Sequence, residues 1–205
     1  MLIALAAAAA YLLGSVSFAI LLSRLMRLPD PRSYGSKNPG ATNVLRTGKK
    51  VAAVLTFAGD ELKGFVAVVL ALVYLPEAAP YAGVAAFLGH LFPVFHRFQG
   101  GKGAATAVGV LFGFDAWLGL GTLATFGVIA AFFRYVSLAS MVAGAFAIFF
   151  AWFLKLDTMT IGAVAAMTAF LVWRHKDNIK RLIAGTESKL GQKKATPPDP
   201  SAASQ

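Results

Sequence analysis

The strongest constraint on this chain is a succession of apolar runs. They lie at about residues 2–22, 51–75, 81–96, 103–114, 117–133, 137–153 and 158–173, with short polar segments between them. About 20 apolar residues match the hydrocarbon thickness of a bilayer, and a lone segment there satisfies its backbone only as a helix. Charged residues make up 14% of the 205, against about a quarter in a soluble domain, so the chain has no polar shell to cover itself. An all-α polytopic integral membrane protein is the fold class these features predict.

The stretch 103–133 admits either one long helix or two short ones turning near "GFDAW". Charge separates the two cases. Of 19 Lys and Arg residues, seven lie in 24–50, two in 97–102, one at Arg134 and seven from Arg174 onward. Seven helices put all four groups on one side and leave Glu77, Asp115, Lys155 and Asp157 on the other. Six would strand the basic tail across the membrane from the first basic loop. The positive-inside rule therefore predicts seven transmembrane helices, with the N-terminus outside and the C-terminus cytoplasmic. The apolar start lacks a basic n-region, so no cleaved signal peptide is expected. Residues 1–190 form the expected membrane domain, and 191–205, "GQKKATPPDPSAASQ", an expected disordered tail.

The formal charge of +10 gathers beside apolar runs, which suits topology and attraction to anionic lipid, with no nucleic acid partner. The absence of cysteine excludes disulfides and thiolate chemistry. Three scattered histidines, with no paired carboxylates near the polar motifs, make no case for a metal, and no cofactor is expected.

Three polar patches fall on the predicted cytoplasmic side. In "YGSKNPGATNVLRTGKK" the glycines allow tight turns, Lys37 and Arg46 bring charge, and Ser36, Asn38, Thr42 and Asn43 offer neutral hydrogen bonds. The segment is either a phosphate-binding pocket wall or a solvated basic loop. In "FQGGKGAATAVG" a lysine among glycines precedes a helix start, with Thr106 in the first turn. The P-loop spacing fails, yet free N–H groups beside Lys102 suit an anion. The other reading is a flexible, charge-anchoring turn. In "WRHKDNIKRL" His175 and Asn178 share a face on a continuing helix, and "AGTESKL" extends it as an interfacial amphipathic segment. Inside an apolar run, "DELK" puts Asp60 and Lys63 on one face, as a structural network or as a contact for substrate or a coupling ion. His90 lies within the third run and His96 near its end.

Taken together, "GSVSFAI", "GSKNPGATNVLR", "DELKG", "GHLFPVFHRFQGGKGAATAVG" and "RHKDNIKRL" resemble the motifs of the bacterial membrane acyl-phosphate:glycerol-3-phosphate acyltransferases, the PlsY family, over about residues 11–187. The resemblance implies a multi-pass protein of the bacterial cytoplasmic (inner) membrane whose active site faces the cytoplasm. It implies transfer of a fatty acyl group from acyl phosphate to the 1-hydroxyl of sn-glycerol 3-phosphate. The products would be lysophosphatidic acid and inorganic phosphate, at the first acylation of phospholipid synthesis. On that resemblance Ser36, Arg46, Lys102 and His175 are catalytic candidates. Lys37, Asn38, Thr42, Asn43, Gly101, Gly103, Thr106 and Asn178 are substrate-binding candidates. The implied partners are glycerol 3-phosphate, acyl phosphate and membrane lipid, with a functional monomer.

Acyl phosphate is already activated, so direct attack without an acyl-enzyme is the expected route. The proton goes to His175 or to the substrate's own phosphate, and an acylated Ser36 is the lesser alternative. The rival class is a small transporter using "DELK" for coupling. A transporter should open its polar site to both sides, whereas these motifs lie on one.

Overall fold

The computed structural model describes residues 1–191, so the expected tail beyond Gly191 lies outside the described residues. Among the described residues the chain is helical, with no strand. The first apolar run is a helix pair, α1 (Leu2–Gly14) and α2 (Phe18–Leu25), and a one-turn α3 (Ala41–Val44) sits in the loop that follows. The remaining runs are α4 (Lys50–Tyr74), α5 (Ala79–Leu91), α6 (Ala104–Phe114), α7 (Ala116–Phe133), α8 (Val136–Phe153) and α9 (Thr158–Arg174). A short α10 (Lys176–Ile183) closes the series.

Among the described residues, four segments are long and apolar enough to cross a bilayer: Leu2–Leu25, Pro76–His96, Ala116–Phe133 and Val136–Phe153. Ala104–Phe114 and Thr158–Arg174 are apolar but shorter, and the 25-residue α4 carries Asp60, Glu61 and Lys63 in its middle. The stretch 103–133 is two helices. Asp115 is extended (φ −159°), and its carboxylate caps α7 by accepting from the Leu118 N–H at 2.9 Å.

The bundle wears its large side chains outward. Trp117, Phe132, Phe133, Phe149, Trp152 and Phe153 are each more than half exposed, while the interior is filled largely by alanine. In water such a surface would be an unpartnered patch; in lipid it is simply solvated. Small residues let the helices close up. A β-carbon on Gly109 of α6 would lie 1.8 Å from the Glu61 carbonyl oxygen of α4, so those two backbones meet directly.

One polar knot lies inside this apolar bundle. The α1–α2 break leaves the Val16 carbonyl without a helical partner, and the Lys63 ammonium donates to it at 2.7 Å. The same ammonium donates to Asp60 Oδ1 at 2.8 Å and meets His90 Nδ1 at 2.9 Å. An ammonium only donates, so His90 Nδ1 accepts and the ring proton sits on Nε2. Lys63 and Asp60 side chains are 1% and 3% exposed, which makes this a buried ion pair with every lysine proton engaged. Removing one member of such a pair costs about 3–5 kcal/mol. Lys63→Met is expected to lower stability by that order, read as a fall in melting temperature in detergent. The Asp60→Asn/Lys63→Met double variant, which leaves no unpaired charge, should recover part of the loss.

Candidate active site

The loop between α2 and α4 is organised around one buried side chain. Asn43, 2% exposed, donates through Nδ2 to the Pro31 carbonyl at 2.7 Å and the Tyr34 carbonyl at 3.2 Å. Its Oδ1 accepts from the Ser36 N–H at 3.0 Å and from Arg46 Nη1 at 3.4 Å. The amide is therefore saturated by its own loop. Gly35 passes so close, at φ +59°, that a β-carbon would lie 2.3 Å from Asn43 Oδ1. Held this way, Ser36, Lys37, Thr42 and Arg46 are exposed and, with Asn38, face a common cavity.

The glycine-rich turn is fixed from beneath by α5. The Gly101 N–H donates to the His90 carbonyl at 3.1 Å, and a β-carbon on Gly101 would collide with His90 Nε2 at 2.1 Å. Gly101 thus packs on the polar knot, and its N–H is engaged. Lys102 and Gly103 turn to the cavity, as do Ala104 and Ala105 in the first turn of α6, where no side chain caps the helix. The open helix start beside an ammonium suits an anion. Thr106 is fully buried, does not line the cavity, and its Oγ1 has no hydrogen-bond partner.

The third patch is not one continuing helix. The chain kinks at His175 (φ −94°, ψ 7°), between α9 and α10, and both His175 and Asn178 still line the cavity. Arg174 ties this patch to the glycine-rich turn, donating to the Gly100 carbonyl at 2.9 Å and the Gly101 carbonyl at 3.0 Å. Lys102 Nζ donates to Asn178 Oδ1. The expected amphipathic extension ends at Ile183. Gly185, at φ +68°, reverses the chain, and the Thr186 N–H donates back to the Arg181 carbonyl at 2.8 Å. Residues 185–191 then fold over the site as a strap.

The sequence reading missed three contributors. Glu187, on the strap, accepts from Asn178 Nδ2 at 2.5 Å, Ser137 Oγ at 2.7 Å and Arg181 Nε at 2.7 Å. Arg174 was visible beside His175 in "WRHKDNIKRL", but nothing in the sequence aims it at a backbone carbonyl. Ser137 carries no motif signal.

The cavity has a volume of about 1110 Å³ and two chemical ends. One is lined by Ser36, Lys37, Arg46, Lys102, His175 and Asn178; the other by Leu111, Leu123, Phe126, Ala147, Met167 and Leu171. Burial, then the nearby Arg181 charge, push the Lys102 ammonium down to about 8. His175 is 4% exposed, and burial pushes its imidazole down to about 4. Its Nδ1 lies 2.8 Å from the Leu171 carbonyl, which can only accept, so the neutral ring carries its proton on Nδ1 and leaves Nε2 as an acceptor.

Residues 4–185 match the family model described as glycerol-3-phosphate acyltransferase. A glycerol-3-phosphate acyltransferase of Cupriavidus taiwanensis is 56% identical over 194 residues, covering 92% of this chain and 96% of that relative. One from Burkholderia orbicola is 55% identical over 204 residues, covering 97% and 98%. Among solved structures, the glycerol 3-phosphate form of PlsY, an integral membrane glycerol 3-phosphate acyltransferase, superposes with a TM-score of 0.89 at 36% identity. It covers 93% of this chain and 96% of its own. The lysophosphatidic acid form of PlsY gives 0.86 at 35% identity over the same shares.

A nitrogen-15 imidazole titration should find the His175 ring neutral and Nδ1-protonated at pH 7, gaining its second proton only as pH falls towards about 4.

Proposed function

The chain belongs to the glycerol-3-phosphate acyltransferase family, and we propose that it transfers a fatty acyl group from acyl phosphate to the 1-hydroxyl of sn-glycerol 3-phosphate. The carrying observation is one cavity with a cationic polar end and an apolar end. The molecule that fits both is a phosphate joined to a long hydrocarbon chain, which describes the acyl donor and the lysophosphatidic acid product alike. The glycerol 3-phosphate and lysophosphatidic acid forms of the solved relative support a phosphate at the polar end.

Two phosphates must be held close together without repelling one another. Arg46, Lys37, Lys102 and the open N–H groups at the start of α6 supply the positive field. Ser36, Asn38, Thr42 and Asn178 orient the glycerol and phosphate oxygens, Gly103 opens the helix start towards them, and Asn43, Gly101 and Thr106 hold the turns in shape. The glycerol 1-hydroxyl oxygen attacks the acyl carbonyl carbon. The bond from that carbon to the bridging phosphate oxygen breaks, and inorganic phosphate leaves. The hydroxyl proton passes to a phosphate oxygen, so the products are lysophosphatidic acid and hydrogen phosphate. No acyl-enzyme forms and no cofactor takes part.

His175 is poorly suited to be the base, because a group of pKa about 4 holds a proton weakly. Its free Nε2 instead accepts from, and so orients, the attacking hydroxyl. A phosphate with a second ionisation near ~6 is the better proton acceptor at neutral pH. The clustering of basic residues, which predicts seven spans with the N-terminus outside and the C-terminus inside, supports a cavity at the cytoplasmic face of a bacterial inner membrane. The first acylation of phospholipid synthesis is the step this serves.

Purified protein in lipid vesicles, given acyl phosphate and glycerol 3-phosphate, is expected to release equal amounts of phosphate and lysophosphatidic acid. Proton- or ion-driven uptake without acyl transfer would overturn the reading. Lys102→Ala and Arg46→Ala should each raise KM for a phosphate substrate by about tenfold or more, the loss of one hydrogen bond to a charged group. His175→Gln should lower kcat while leaving the acid limb of the pH–rate profile near ~6, where the phosphate titrates.

A further inference from the structure

We propose that Glu187 is a positioning residue of the acyl-transfer site, holding Lys102 in phosphate-binding geometry through the Asn178 amide. The proposal rests on the reading above that Lys102 binds substrate phosphate.

An asparagine amide offers two nearly identical faces to its neighbours, a donor NH2 and an acceptor oxygen. The acceptor-only Glu187 carboxylate takes the NH2 of Asn178 at 2.5 Å, and this turns Oδ1 towards Lys102 Nζ, which donates to it. A flipped amide would set donor against donor. Carboxylate, amide and ammonium thus form a directional relay in which Glu187 sets the sense.

Glu187 is itself held firmly. Its side chain is 9% exposed; Oε1 also accepts from Ser137 Oγ at the start of α8, and Oε2 from Arg181 Nε on α10. Burial would raise the carboxyl, but the hydrogen bonds from Ser137, Asn178 and Arg181 outweigh it and keep the group ionised. The strap is clipped a second time. The Leu190 N–H donates to the Arg134 carbonyl at 2.6 Å, and Arg134 Nη2 donates to the Leu190 carbonyl at 2.8 Å. Ser188, Leu190 and Gly191 of the strap line the same cavity as Lys102.

Charge points the same way as geometry. The groups facing Lys102 are Arg174 at the end of α9, His175 at the kink, Asp177 and Arg181 on α10, and Glu187 on the strap. The two arginines oppose its charge, and Glu187 and Asp177 support it. Without Glu187, Arg181 loses its carboxylate partner and Lys102 loses a supporting charge. Lys102 then gives up its proton at lower pH, and phosphate affinity falls off at lower pH with it.

The test is the acyl-transfer assay in lipid vesicles from pH 6 to 9.5, with melting temperature measured for every variant. Glu187→Gln is expected to raise KM for glycerol 3-phosphate by about tenfold. It should also move the alkaline limb of the kcat/KM profile down by about one pH unit. Arg134→Ala, which removes only the side-chain half of the second clip, should leave that limb in place. Wild-type KM and limb in Glu187→Gln, with Lys102→Ala impaired, would overturn the proposal. The same limb shift in Arg134→Ala would also overturn it, by assigning the effect to strap closure. A fully active Lys102→Ala would instead overturn the phosphate reading beneath it. If Glu187→Gln does not fold, Glu187→Asp, whose shorter carboxylate withdraws from Asn178 while keeping its charge, is read by KM for glycerol 3-phosphate, and a wild-type KM sinks the proposal.

Discussion

The Lys63 ammonium is the interaction on which the rest of the arrangement depends. Hydrocarbon offers a charged group no hydrogen-bond partner, so a lysine within an apolar bundle must find its acceptors in protein. Lys63 finds three: a carbonyl freed by the break in the first helix, a carboxylate one turn back on its own helix, and a histidine on α5. Three apolar segments are thereby fixed at one depth. The consequence runs upward, because His90 supports the glycine-rich turn through its carbonyl and its ring. The buried charge and the exposed anion site are two ends of one connected structure.

The polar loops divide their residues between building the turn and facing the cavity, and residue type does not announce which is which. Asn43 and Asn38 look equivalent in "GSKNPGATNVLR". Geometry separates them: both border the cavity, but Asn43 is 2% exposed and uses both ends of its amide on its own loop. Gly101 and Gly103 differ in the same sense. The first has its N–H bonded and its α-carbon against His90; the second opens to the cavity at a helix start. A rigid scaffold of this kind lets a small number of cations act from fixed positions, without the reorganisation that water would require.

Much of this was legible in the sequence. The apolar runs gave the helices, and the charge pattern separated 103–114 from 117–133, because only an intervening Asp115 turn keeps the basic segments together. The spacing of Asp60 and Lys63 put them on one helix face and so allowed the pair that forms. The unreadable parts are tertiary. Nothing local says that the Val16 carbonyl lies open beside Lys63, or that Thr106 turns away from the cavity. The strap is an intermediate case. "AGT" carries a helix-ending glycine, and the periodicity of "IKRL" hid it by suggesting that the helix ran on. With the chain read as straight, nothing singled out Glu187.

The strap also has a consequence for the order in which the protein is made. The polar end of the cavity draws on residues 35–46, 100–105 and 174–191, so its pieces leave the ribosome far apart in time. Gly185 and Glu187 are synthesised only after every apolar helix through α9. Until then Asn178 lacks the partner that sets its amide, and the cavity lacks its cover. Completion of the site is therefore a late event in the life of each molecule, and a chain stopped just before Gly185 would carry the full membrane scaffold around an unfinished centre.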